Sequence, residues 1–174
     1  MIDNRRERIL GLTRASLALA ISIVCLILFR GPISIVSTFL LPPIIVLFES
    51  GKALLYYLLT SMGLFITTLI FFPTQLIFVL TYLILALALM MLRKKRDRKI
   101  SPFNTLLYLF LTIIALFVGI RLTQLIYMIP LHTMMLRISN NNPLFYFLII
   151  LMEAVLVCVF NFGILKLFKS RVRK

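Results

Sequence analysis

Acidic side chains are scarce in this sequence. Five Asp and Glu stand against 19 Lys and Arg, with one histidine and two cysteines among 174 residues. So small a stock of acids and histidine supplies poorly either a metal site or a catalytic triad, so no catalytic residue, metal or cofactor is expected. Cys25 and Cys158 form no CxxC or Cys/His pattern, and both fall inside apolar runs. Buried free thiols are the expectation. Charged residues of every kind reach only 14%, against roughly 25% in a soluble domain. That is too little polar surface to coat a water-soluble globule.

What the chain has instead is apolar length. Hydrophobic residues make up 62% of it, and its mean hydropathy is +1.10. Residues 53–92 are 40 consecutive positions without a charge, and residues 100–120 are another 21. About 20 apolar residues suffice for one helical crossing of a bilayer. The expected class is therefore all-α, a polytopic membrane protein. Apolar stretches continue along the whole chain, so a cleaved secretory signal is not expected.

Six spans can be read, at about 9–29, 33–48, 53–72, 74–92, 103–128 and 144–168, forming a single transmembrane domain over 1–174. Turn chemistry separates them: Arg30-Gly31-Pro32, Glu49 to Lys52, Phe72-Pro73-Thr74, the basic run Arg93 to Lys99, and Pro130 to Pro143. The 40-residue run must be two helices, because one alone would extend about 60 Å, and Pro73 divides it near its middle.

The net charge of +14 would point to nucleic acid in a soluble protein, but here the basic residues gather at the ends of apolar runs. Sixteen of the 19 lie at the N-terminus, in the 49–52 turn, in the central run and at the C-terminal end. With six spans all four segments share one face, which the positive-inside rule makes cytoplasmic. Both termini are then cytoplasmic, in the plasma membrane, with lipid and not nucleic acid beside the basic run. Tyr56, Tyr57 and Tyr108 fall near inner ends and Tyr127 and Tyr146 near outer ends, as interfacial aromatics should; Tyr82 is the mid-span exception. Ser50-Gly51-Lys52 lacks the upstream glycine of a phosphate-binding loop and is given no nucleotide role.

Arg121 and Glu153 are the two charges deep inside spans. Counted from the outer ends, both lie roughly 12–14 Å in, so they could pair across spans five and six or form the polar floor of an outward-facing cavity. Gln124 follows Arg121 by one turn, and Asn161 follows Glu153 by two. These four are the candidate substrate-binding residues. Pro42 and Pro43 interrupt span two, either as a packing kink or as a broken helix exposing carbonyls. Span one carries overlapping small pairs, Ser16/Ala20 and Ala18/Ser22. Such spacing admits a close helix neighbour, within the chain or on a partner protein. In the long outer loop, Leu131, Met134, Met135 and Ile138 make a short amphipathic stripe. His132, Arg137 and Asn140 to Asn142 form its polar side, with His132 read as a solvated loop residue.

Six spans, cytoplasmic termini, a small-residue first helix and a longer outer loop before span six resemble the substrate-binding (S) components of energy-coupling factor transporters. Within that group, FLLPPIIVLFESGKALLYYLLTSMG (39–63) is similar to the YybS-like membrane proteins. The resemblance implies a vitamin or metabolite as small-molecule substrate. It also implies a coupling membrane protein touching span one at Ser16, Ala18, Ala20 and Ser22, and separate ATPase subunits. A second resemblance, in size and span number, is to rod-shape accessory proteins of the MreD type, which implies a non-transporting scaffold that recruits partners.

Overall fold

The computed structural model describes residues 2–28, 34–47, 53–93 and 102–172. The turns expected at 30–32 and 49–52, and the basic run from Lys94 to Lys99, lie outside them. Among the described residues the chain is all-helical, without a strand. The order is α1 (Ile2–Leu28), α2 (Ser34–Leu47), α3 (Ala53–Phe71), a 3-10 turn at Pro73–Gln75, α4 (Leu76–Arg93), α5 (Pro102–Tyr127), α6 (Leu131–Ile138) and α7 (Pro143–Val172). Five helices are long and apolar enough to cross a membrane, within α1, α3, α4, α5 and α7. These make the protein a multi-pass membrane protein. The chain falls into two compact units, Met1–Met90 and Met91–Lys174.

In the first unit α1 packs on α2 and α3. The face α1 buries carries Gly11, Ala15, Ala18, Ser22 and Cys25, spaced alternately four and three residues apart, with Leu26 buried beside Cys25 at its end. Small side chains at that spacing let backbones approach closely where lipid provides no hydrophobic drive. A Cβ on Gly11 would sit 2.2 Å from the Tyr56 ring, and one on Gly63 would sit 2.9 Å from a Leu19 methyl. The first pair lies early in both helices and the second later in both, so α1 and α3 run parallel. The 29–52 segment containing α2 therefore brings the chain back to the end where α1 began. The small pairs read from sequence separate here: Ala18 and Ser22 are buried within the unit, while Ser16 and Ala20 are exposed.

Helix α2 does not break at Pro42-Pro43. It runs through both, with Leu41, both prolines, Ile45 and Val46 buried, and is short instead, at 14 residues. Pro73 divides the long apolar run as expected, opening the 3-10 turn before α4. The Tyr57 hydroxyl donates to the Leu83 carbonyl of α4. Tyr56, Tyr57, Tyr108 and Tyr146 are thus not lipid-facing belt residues; all four are buried, because each ring has a helix to pack on. Cys25 and Cys158 are free and buried.

The second unit is an antiparallel α5–α7 hairpin with α6 packed on both. Its two long helices bury stripes of identical spacing: 108, 112, 116, 119, 120 and 123 on α5, and 146, 150, 154, 157, 158 and 161 on α7. Tyr108 meets Asn161, Thr112 meets Cys158, and Leu116 shares a cluster with Ala154 and Ile150. These contacts define the hairpin register. The connection explains its asparagines. Asn140 and Asn141 take positive φ values of 50° and 57° after α6, where Asn is tolerated. The Asn142 side chain then accepts from the Leu144 amide at 2.9 Å, capping α7, with Pro143 as its first residue.

The Gly11 contact yields a stability prediction. Gly11→Ala should force the buried Tyr56 ring to move, costing about 1–3 kcal/mol as core overpacking does. Gly163→Ala, where a Cβ meets nothing within 4 Å, should be neutral or slightly stabilising. Melting of the detergent-solubilised protein compares them, and equal melting of both variants would contradict the close α1–α3 approach.

Candidate polar site at the α6 end of the hairpin

Arg121 and Glu153 do not pair. Among the described residues Glu153 has neither ion-pair nor hydrogen-bond partner, and Arg121 instead lies with its Cζ 5.6 Å from the centre of the Phe117 ring. The hairpin register gives the reason. Counting inward from the helix ends placed the two at one depth, but the observed contacts set Arg121 opposite residue 149. That is four residues, about 6 Å, from the level of Glu153. Arg121 is also exposed, on the side of α5 away from its buried stripe, while Glu153 is half-buried beside Ala154. The guanidinium itself folds back over Phe117, which the same register sets opposite residue 153, so it is the difference of faces that keeps the two charges apart. A charge at the centre of a span costs about 2.5–3.5 kcal/mol on insertion scales, a cost that falls toward the helix ends, and Arg121 lies six residues before the end of α5.

Around Arg121 the polar groups converge near α6. Phe117 meets the Tyr146 ring edge-on at 6.3 Å, and Tyr146 meets the His132 ring edge-on at 5.2 Å. The Tyr146 hydroxyl and His132 Nδ1 share a hydrogen bond of 3.0 Å. Gln124 Nε2 donates to the Thr133 hydroxyl at 3.3 Å, and its Oε1 is buried without a partner. His132 is therefore not a solvated loop residue. It is buried, and the face α6 turns inward is His132, Met135, Leu136 and Ser139, with Met134 and Ile138 exposed. The apolar stripe expected from sequence is rotated because Tyr146 supplies a partner that a pattern of hydrophobic residues does not reveal. Burial first, and then the Arg121 charge, hold the His132 imidazole below its ordinary value of 6.5.

Asn161 lies elsewhere, near the start of α5. It is wholly buried, and its Nδ2 donates to the Tyr108 hydroxyl at 3.0 Å while its Oδ1 has no partner. Thr112 bonds back to the Tyr108 carbonyl, its hydroxyl 3.9 Å from Cys158 Sγ, and Phe162 stands edge-on to Tyr108 at 5.4 Å. The four candidates thus divide. Arg121 and Gln124 belong to the α6 cluster and Asn161 to an interhelical contact, while Glu153 bonds to neither but lies within electrostatic reach of Tyr146. Tyr108, His132, Thr133 and Tyr146 join the polar sets. Of these, Tyr108 and Tyr146 carry a signal in the sequence as aromatics near span ends and His132 as the lone histidine beside an amphipathic stripe, whereas Thr133 carries none. No group of three or more metal-binding side chains occurs among the described residues.

Family models, curated proteins and solved structures were compared with the chain, and none matches.

The depressed His132 basicity fixes a pH dependence. The fold favours the neutral ring, so this contribution is complete above the ordinary value of 6.5 and is lost as pH falls below it toward the folded-state value. Melting temperature should therefore fall between pH 7.5 and pH 5, and His132→Gln should flatten that part of the profile. An unchanged slope in the variant would place the titrating group elsewhere.

Proposed function

We propose that this is a small-molecule-binding membrane subunit, working with a separate energising complex. The observation that carries the reading is the α6-end cluster. Arg121, Gln124, His132, Thr133 and Tyr146 gather where a hairpin of two apolar helices is covered by a short amphipathic one, with one arm of the Gln124 amide unsatisfied. Polar and ionisable groups at membrane depth characterise substrate paths. The resemblance to S components supplies the remaining parts: a vitamin or metabolite as ligand, a coupling membrane protein, and ATPase subunits.

The arrangement we propose has six crossings, with both termini on the cytoplasmic side of the plasma membrane. Parallel α1 and α3 support it, because the intervening segment has to return. The 94–101 link spans at most about 28 Å extended, and its basic residues could not cross a core about 30 Å thick. The scaffold reading is favoured by one observation, the exposed Ser16/Ala20 face of α1, where a helix of another protein can approach closely.

Two measurements test this. Cysteines placed at Asn4, Asp97 and Ser170 should resist an impermeant thiol reagent in intact cells, while one at Asn141 should react. Labelling at Asp97 would overturn the six-crossing arrangement. A thermal-shift screen of the purified protein against vitamins and metabolites, neutral and charged, should find a stabilising compound. Gln124→Leu should weaken its binding at least tenfold, with Ser16→Leu binding as wild type. No stabilisation by any compound, together with loss of co-purifying membrane proteins in Ser16→Leu, would replace the binding subunit with the scaffold.

A further inference from the structure

We propose that Arg121 and Gln124 form the seat for one oxyanion, a carboxylate or phosphate group. The inference rests on the ligand-binding reading above and names the chemistry of its ligand. Arginine presents five N–H donors in a planar fork suited to carboxylate and phosphate. Among the described residues none of them meets an acceptor at Arg121: its contact is with the face of the Phe117 ring, and it forms no ion pair there. The one acid in the spans, Glu153, is on another face of the hairpin. Among the described residues no carboxylate pairs with it, so its charge is open to a countercharge from outside the chain.

Gln124 adds the second contact. It lies three residues beyond Arg121, one helical turn along the same side of α5. One arm of its amide reaches Thr133 at 3.3 Å and the other is buried and unpartnered. The two ends of an amide exchange by a half-turn. Turned over, Oε1 accepts from the Thr133 hydroxyl, and the freed NH2 donates toward a group held at Arg121. The seat then has a charged fork and a neutral donor, a pairing that selects an oxyanion over a halide. His132 fits the same picture, since the field of Arg121 helps keep its ring neutral, leaving one fixed positive charge to be matched by one negative group.

The depth of the seat bears on where the anion comes from. Arg121 lies six residues, about 9 Å, before the end of α5. Its guanidinium folds back over Phe117, one turn further from that end. A lipid phosphate would have to be drawn in to reach it, whereas a small solute could enter beneath α6.

The chain contains no tryptophan, so Phe117→Trp places a single fluorophore against the Arg121 guanidinium. In neutral detergent at constant ionic strength set with chloride, inorganic phosphate or acetate should change its emission saturably. Arg121→Gln in the same background should weaken that response at least tenfold, and Arg121→Lys, which keeps charge without the fork, by several-fold. Melting of the otherwise unaltered chain, with and without Arg121→Gln, gives the second measurement and removes any dependence on the tryptophan. An Arg121-dependent response confined to bilayer discs containing phosphatidylglycerol, and absent in phosphatidylcholine, assigns the same seat to a lipid headgroup. No saturable response in any medium, or one unchanged by Arg121→Gln, overturns the proposal. Stabilisation by an uncharged compound in the broader screen would then leave the binding reading in place without the oxyanion.

Discussion

Hydrocarbon gives two apolar helices no reason to leave lipid for each other, so contact in this molecule depends on how closely backbones can come. The α1 face of Gly11, Ala15, Ala18, Ser22 and Cys25 is the constraint on which the first unit rests. Its lack of bulk lets the Tyr56 ring occupy the space beside Gly11, while Leu19 in turn fills the space beside Gly63. The close approach fixes α1 parallel to α3, and the parallel pair dictates the return of the chain between them. Hydroxyl groups add little to this specificity. Ser22, Thr60, Thr67, Thr68 and Thr81 each bond the carbonyl four residues earlier in their own helix. They satisfy themselves and leave register to shape.

The second unit resolves its polar groups differently at its two ends. Near the start of α5, Tyr108, Thr112, Cys158 and Asn161 sit on the buried stripes and hold the helices in register. Near α6 the groups lie at the edge of that seam, with an exposed guanidinium, a half-satisfied amide and a histidine kept neutral by burial. The first set locks the hairpin. The second leaves the Arg121 donors and the Gln124 carbonyl oxygen without partners among the described residues.

Sequence patterning revealed most of the architecture because bilayer length and turn chemistry are local. Pro73, the helix limits near 128 and 143, and the buried cysteines follow from a few neighbouring residues each. The site was legible only in part. Arg121 and Gln124 were visible as polar residues in a span, but their relation to Glu153 depends on a register set by Tyr108–Asn161 and Thr112–Cys158. Those contacts are more than 45 residues apart in the chain. An error of four residues in register is invisible to counting from helix ends, and so is the face of α5 on which Arg121 stands relative to the buried stripe. His132 was misread for a related reason, since its partner Tyr146 belongs to the next helix.

Helices α1 and α2 lie side by side with 27 and 14 residues, about 40 Å and 21 Å of helix. The apolar part of α1, Arg8–Leu28, measures about 31 Å and suits one bilayer core, which α2 is too short to cross unaided. In the six-crossing arrangement we propose, lipid next to the short helix has to thin or let water in, while the basic first turns of α1 protrude beyond the core. The first unit is therefore a built-in mismatch with its solvent, and acyl-chain length becomes a variable acting on its packing from outside the polypeptide.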